Sequence, residues 1–298
     1  MNSVLTHPPV RHKHTPPDHH ALSAYAYPRE FCGNRFIYLV VSPRAHGLAI
    51  GVNMNPDARC NFDCVYCEVD RSAAAREKTL NVDVMAAELE HALHLIASGG
   101  AAHLPGYGSI PPELLQLRHV ALSGDGEPTF CPNFLDAVRA VVHIRALGQI
   151  PFKVVLMTNG TGLDLPEVQN GVKLFTHSDE IWAKLDAGAQ DYMNTINHPA
   201  WPLEKILGNI LLVAQQRPVI IQSLFVRLAG REPAAEEIEQ YALRLRELKA
   251  AGAQIPLVQI YSAMRPTART ECSHLSLKIL ARIAERVREI SGLKAEVF

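Results

Sequence analysis

The sequence predicts an α/β fold in which a mostly parallel sheet is covered by helices, and three observations carry that prediction. Six short apolar runs recur along the chain, longer amphipathic runs stand between them, and polar or glycine-rich segments fall directly after the apolar runs. The runs are LAIGVNM (48–54), HVALSG (119–124), KVVLMTN (153–159), EIWAKLD (180–186), VIIQSLFV (219–226) and PLVQIYS (256–262). Their shortness and β-branched content mark them as strands, and near-continuous apolar character is what a parallel sheet requires.

The intervening runs read as helices. In VMAAELEHALHLIAS (84–98), Met85, Leu89, Leu93 and Ile96 recur at three- to four-residue spacing, and Gly99 and Gly100 supply the stop. FLDAVRAVVHIRALG ends on Gly148 in the same way. PAAEEIEQYALRLRELKAAG and LSLKILARIAERVREISG are equally periodic and close on Gly252 and Gly292. The alternation fits either an open doubly wound sheet or a barrel.

One domain over residues 31–298 accounts for this pattern, and no internal repeat interrupts it. Residues 1–30 are rich in Pro and His, lack hydrophobic periodicity and read as a flexible tail. Its His7, His12, His14, His19 and His20 either ligate a transition metal or are simply solvated. No apolar run approaches the ~20 residues of a bilayer span, and the amino-terminal segment lacks the apolar stretch of a secretory signal, so no membrane and a cytoplasmic location are expected. With 29 basic and 30 acidic residues the net charge is -1, which removes any global attraction for nucleic acid. Six cysteines in a reducing compartment are not a disulfide framework, and three of them are clustered.

In parallel α/β folds, ligands gather at the carboxyl ends of strands. There the sequence places NMNPDARC, SGDGEPT (123–129), TNGT (158–161), KLDAG (184–188) and YSAMRPT (261–267), five loops that together predict one large site. The first continues into MNPDARCNFDCVYCEVD (54–70), with Cys60, Cys64 and Cys67 spaced C-x3-C-x2-C. Three soft thiolates on one loop can wrap one face of a cubane iron–sulfur cluster and leave the fourth iron open to a small molecule. Zinc with a distant His as fourth ligand is the rival reading, although a closed zinc site normally uses two separated ligand pairs.

CNFDCVYCEV resembles the signature loop of radical S-adenosylmethionine (SAM) enzymes, including the aromatic before the third Cys, and SGDGEPT is similar to their Gly-Gly-Glu motif. With YLVVSPRAHGLAIGVN, KLDAG and VQIYSAMRPTA the resemblance runs over roughly residues 35–270, and it is nearest the branch related to wyosine-forming tRNA enzymes. It implies a partial (β/α)6 TIM-like barrel, a [4Fe-4S] cluster on Cys60, Cys64 and Cys67, and S-adenosyl-L-methionine cleaved reductively to a 5'-deoxyadenosyl radical. A flavodoxin- or ferredoxin-type electron donor would reduce the cluster. The substrate is left open between a small molecule, a protein and tRNA.

The resemblance also distributes roles. Tyr66 would lie near the adenine. Gly124, Asp125, Gly126 and Glu127 would receive the SAM ammonium, with Asp125 standing where the superfamily often has its first Gly. Thr158 and Asn159 would hydrogen-bond ribose or carboxylate, although TNG is also an ordinary turn. Lys184 and Asp186 point the same way because their spacing is two, and would hold the SAM carboxylate and the ribose hydroxyls. Tyr261 lies near the adenine or belongs to the core. Arg227, Arg265 and Arg269 are candidates for reading an anionic substrate. Cys32 is the one cysteine ahead of the loop, and Cys131 and Cys272 read as buried, inert thiols. Two other functional classes fit the thiol loop: a non-catalytic iron–sulfur redox protein and a zinc-stabilised binding module.

Overall fold

A computed structural model of the protein describes residues 31–69, 71, 75, 77–263, 267 and 269–298. The expected tail with its histidines, and Arg265, lie outside the described residues. One sheet holds eight strands in the spatial order β1 (Ile37–Ser42), β2 (Gly47–Asn53), β3 (Leu117–Ser123), β4 (Lys153–Thr158), β5 (Glu180–Lys184), β6 (Val219–Leu224), β8 (Val258–Tyr261) and β10 (Ala295–Val297). A separate antiparallel pair joins β7 (Val226–Leu228) to β9 (Cys272–His274).

The six strands expected from the sequence are β2, β3, β4, β5, β6 and β8, each parallel to the next. Two strands extend them. β1 runs antiparallel to β2 across the tight connection at 43–46, and three-residue β10 adds in parallel to β8. Among the described residues β1 and β10 are the two edges, so the sheet is a partial barrel and not a closed one. The run 219–226 also divides. β6 stops at Leu224, the Phe225 amide still donates to the Tyr261 carbonyl of β8 at 2.9 Å, and the chain then turns to the separate pair at Val226.

Among the described residues seven α-helices cover one face: α1 (Val82–Ala97), α2 (Phe134–Leu147), α3 (Pro166–Val172), α4 (Gln190–Ile196), α5 (Leu203–Ala214), α6 (Ala235–Ala250) and α7 (Leu277–Ser291). Expected helices form as α1, α2, α6 and α7, while α3, α4 and α5 were not read from the sequence. α5 carried the signal nonetheless, burying Leu203, Ile206, Leu207, Ile210 and Val213 at three- to four-residue spacing. α3 and α4, seven residues each, are too short to show a period. No helix among the described residues is long and apolar enough to cross a membrane.

The two faces of the sheet differ in chemistry. Under the helices lie Ile50, Val52, Val120, Leu122, Val154, Leu156, Ile181, Ile221 and Val258, all buried in one apolar core. The opposite, inner face carries Tyr38, His119, Lys153, Glu180, Trp182, Lys184, Gln222, Gln259 and Tyr261, brought into line by the strand register. Polar groups there pair with one another: Gln222 Nε2 donates to Gln259 Oε1 at 2.8 Å, and Lys153 Nζ to Glu180 Oε1 at 2.5 Å. At the β1 edge, Glu88 of α1 accepts the amides of Arg35, Phe36 and Ile37 at 2.8, 2.9 and 3.2 Å.

Tyr38 crosses the inner face, its hydroxyl 2.7 Å from Ser123 Oγ. It can do so because Gly51 lies opposite: a Cβ there would sit 2.0 Å from the Tyr38 ring. Gly51→Ala is expected to lower stability by about 1–3 kcal/mol, through either a displaced ring or a broken Tyr38–Ser123 bond. A fall in the urea midpoint at unchanged m-value would report it.

Candidate functional site

The thiol loop leaves β2 and reaches α1 with no helix or strand among its described residues, so its backbone groups find partners elsewhere. Asp63 and Val65 amides donate to the carbonyls of Asn197 and Ile196 at 3.0 and 2.8 Å, and Asn61 O accepts from Ala200 N at 3.3 Å. Side-chain amides complete the attachment. Asn61 gives its Nδ2 to Thr161 Oγ1 and takes Asn159 Nδ2 on its Oδ1, both at 2.8 Å, while Thr161 Oγ1 donates to Asn159 Oδ1 at 2.5 Å. Three side chains thus form a closed ring between the thiol loop and the loop after β4.

The Gly124–Glu127 segment packs against the same loop from the β3 end. Asn53 Nδ2 donates to Asp125 Oδ2 at 2.6 Å, and the Asp125 amide returns to Asn53 Oδ1 at 3.0 Å. Gly124 lies over Asn53 and Asn55. Gly126 has no room for any side chain, since a Cβ would fall 1.8 Å from the carbonyl oxygen of Arg59, the residue before Cys60. Glu127 is buried and saturated: Oε1 accepts Thr129 N, Thr129 Oγ1 and Thr158 Oγ1 at 3.2, 2.6 and 2.5 Å, and Oε2 accepts Asn159 N at 2.7 Å. Burial pushes its carboxyl above the ordinary value against the pull of those bonds. Its side chain braces the β3 and β4 loops, a structural task the sequence reading did not foresee. Thr158 and Asn159 are the other ends of that brace.

On the far side of the thiols a second cluster converges. Asp186 Oδ2 accepts the Tyr66 hydroxyl and Asn197 Nδ2, the latter at 3.0 Å, and Oδ1 accepts Leu224 N at 2.8 Å. Lys184 Nζ stands 3.9 Å from Asp186 Oδ1, donates to Tyr261 Oη at 3.2 Å and lies 4.9 Å from the centre of the Tyr66 ring. Burial alone would lower the Lys184 pKa, but Asp186, Tyr261 and Cys64 hold it above the ordinary lysine value, so the ammonium is charged. The i, i+2 inference for Lys184 and Asp186 therefore describes a real pair. Asp186, read as a ribose ligand, has its oxygens engaged by protein donors. A hollow about the size of one water lies here, lined by Phe62, Lys184, Asp186, Asn197 and apolar neighbours.

All six cysteines are free thiols. Cys64 Sγ accepts Asn197 Nδ2 at 3.4 Å, Cys60 Sγ the Phe62 amide at 3.5 Å, and Cys67 Sγ an Arg71 N–H at 3.7 Å. Burial, only partly offset by Asn197, pushes the Cys64 thiol up to about 12. Among the described residues no three His, Cys, Asp or Glu side chains gather closely enough to hold a single metal ion. A zinc ion needs all its ligands ~2.3 Å or less from one point. A cubane takes each thiolate on a different iron, so three half-buried thiols spread along one loop, each with a hydrogen-bond donor, fit that group better. Beside them, Asn55 Oδ1 is a buried acceptor without a partner among the described residues, next to Gly126.

Sequence reasoning missed Asn55, Asn61 and Asn197. NMNPDARCN displays the first two, but nothing local marks Asn197, which lies 133 positions from Cys64. Two of the three arginine candidates are otherwise engaged: Arg269 bonds Asp63 Oδ2 at 2.5 Å, and Arg227 bonds Glu232 at 2.8 Å. Cys131 and Cys272 are buried and Cys32 is exposed.

No protein-family model matches the chain. It is 25% identical to "GTPase Obg" of Brachyspira hyodysenteriae over 163 residues, 54% of this chain and 20% of that protein. It is 26% identical to "UPF0026 protein slr1464" of Synechocystis sp. over 188 residues, 60% of each. The chain thus spans less than two thirds of either relative. Among solved structures, TYW1 with a lysine-pyruvate adduct bound superposes with a TM-score of 0.58 at 17% identity, covering 87% of this chain and 85% of the other. Archaeal TYW1 gives 0.51 at 15%, covering 88% and 85%. Streptococcus suis SuiB bound to S-adenosylmethionine gives 0.55 at 14%, covering 86% and 52%. These likenesses establish the fold: a partial barrel of the kind found in those enzymes.

Two outcomes are expected from this geometry. Glu127→Gln puts an amide among four donors and costs about 1–3 kcal/mol, read as a lower midpoint in chemical unfolding. In metal-free protein at pH 8, Cys64 is thiolate in on the order of one molecule in ten thousand, so it carbamidomethylates far more slowly than exposed Cys32 in a mass-spectrometric time course.

Proposed function

We propose that the protein is a radical SAM enzyme, holding a [4Fe-4S] cluster through Cys60, Cys64 and Cys67 and binding S-adenosyl-L-methionine along the carboxyl rim of the sheet. One observation carries the reading: the thiol loop meets two polar clusters, Asn55 with Gly126 beside Arg59, and Tyr66, Lys184, Asp186 and Asn197 beside Cys64. A ligand that meets both a soft metal centre and a zwitterion would use that combination. The fold likeness to enzymes that include SuiB bound to S-adenosylmethionine supports it.

When bound, the reduced cluster and SAM together supply a 5'-deoxyadenosyl radical by one-electron cleavage of the sulfonium C–S bond. This chain's residues prepare the site for it. The Asn197, Phe62 and Arg71 N–H groups face the sulfurs and stabilise negative charge there. The unpartnered Asn55 oxygen accepts from an ammonium, with Gly126 keeping the approach open. Charged Lys184 receives a carboxylate, and Tyr66, fixed by Asp186 and Asn197, forms the wall against which a base can lie. An electron donor of the flavodoxin or ferredoxin type, in the cytoplasm, completes the proposal.

For the substrate, a tRNA-base-modifying role of the wyosine type is favoured by one observation. The TYW1 matches span 85% of those chains, whereas the SuiB match spans 52%. A small molecule or a protein is the competing substrate, and a non-catalytic iron–sulfur redox protein is the competing class.

The test is anaerobic reconstitution with iron and sulfide, reduction, addition of SAM and quantification of 5'-deoxyadenosine, with and without bulk tRNA. Formation that is abolished by Cys64→Ala supports the enzyme, and stimulation by tRNA supports the wyosine-type role. A full cluster with no SAM cleavage under any condition moves the redox-protein reading ahead.

A further inference from the structure

At the inner face of the sheet lie donors that no described residue uses. His119 of β3 is fully buried, yet neither ring nitrogen has a partner among the described residues. A buried unpaired imidazole costs on the order of 1–3 kcal/mol, a loss that a ligand or an ordered water would recover. Its ring packs edge-on against Trp182 at 5.4 Å, and Trp182 Nε1 is committed to Glu180 Oε2 at 2.7 Å. Burial, with the charges of Lys153 and Arg44 nearby, drives its pKa down to about 3, so the imidazole is neutral and has one N–H to give.

Arg44, in the connection between β1 and β2, shows the same deficit. Its guanidinium carbon lies 4.4 Å from the centre of the Tyr261 ring, and its Nε is buried without a hydrogen-bond partner among the described residues. The other inner-face cations have counter-ions, Lys153 with Glu180 and Lys184 with Asp186. Arg44 has none among the described ion pairs. A guanidinium carries its N–H donors in a planar fork, and that fork matches a carboxylate.

We propose that the protein takes a carboxylate-bearing substrate, with Arg44 and His119 as the groups that bind its carboxylate. The inference rests on the enzyme reading above for the word substrate, but the binding itself does not. Lys184 meets the same ring at its hydroxyl, 3.2 Å from Tyr261 Oη and 5.6 Å from the ring centre, so Tyr261 touches both cations.

The test uses full-length protein carrying Trp201→Phe, which leaves Trp182, the neighbour of His119, as the one tryptophan of the chain's two. Acetate is titrated against Trp182 fluorescence and thermal unfolding, with inorganic phosphate and chloride at equal ionic strength. A saturable response to acetate is expected, weakened about tenfold or more by Arg44→Gln and several-fold by Arg44→Lys, which keeps the charge and loses the fork. His119→Phe fills the space without nitrogens; it is expected to weaken acetate binding, read by thermal shift, without lowering the melting temperature of the free protein. A response no greater than that to chloride, tighter binding of phosphate than acetate, or affinity unchanged in both Arg44 variants would overturn the proposal. So would equal weakening of S-adenosylhomocysteine binding, which would assign Arg44 to the cofactor. None of these readouts needs a cluster or SAM cleavage, so the failure of this inference and that of the enzyme reading are separately visible.

Discussion

A loop that must present three sulfurs without helix or strand to hold it depends on borrowed hydrogen bonds. Four asparagines lend them. Asn53 fastens the Gly124–Glu127 segment, Asn61 and Asn159 close a ring with Thr161, and Asn197 reaches Cys64, Tyr66 and Asp186 at once. Asparagine suits this role because one short side chain both gives and accepts, so it can imitate a strand neighbour where no strand exists. Glu127 and Asp186 act as the two buried anchors beneath these amides, each taking donors from separate segments of the chain. The loop is thereby held from three strand ends at once, and losing one amide would loosen sulfurs it never touches.

The parallel strands and the rim were legible because burial on two sides leaves a strong apolar mark. The edges were not. β10 is three residues long, and β1 merges with β2 through so short a connection that the pair reads as one lead-in. In the site, the thiols and the Lys184–Asp186 pair could be read from spacing alone, since period two in a strand fixes a shared face. Asn197 could not, because its partner is set by where α4 ends relative to the thiol loop, a tertiary fact with no local sequence counterpart. Glu127 illustrates a different limit. A carboxylate beside a glycine turn suggests a ligand for a cation, whereas its saturation by Thr129, Thr158 and Asn159 emerges only when β3 and β4 lie side by side.

The inner face follows a pattern that is present in the sequence but easily overlooked. His119, Ala121 and Ser123 alternate with Val120 and Leu122; Glu180, Trp182 and Lys184 alternate with Ile181 and Ala183. Such alternation usually means that one side of a sheet meets water. Here it means that one side meets a concave interior, where polar groups largely satisfy one another and Arg44 and His119 are left over.

The unclosed sheet changes how that interior can be reached. A sealed barrel admits molecules only through its mouth, so ring diameter limits what enters and each guest must leave before the next arrives. Between β1 and β10 the ring of backbone hydrogen bonds that would fix such a diameter is not completed among the described residues. The two edge strands can therefore shift relative to each other without breaking a strand-to-strand ladder, and the girth of the interior is not fixed by the sheet alone.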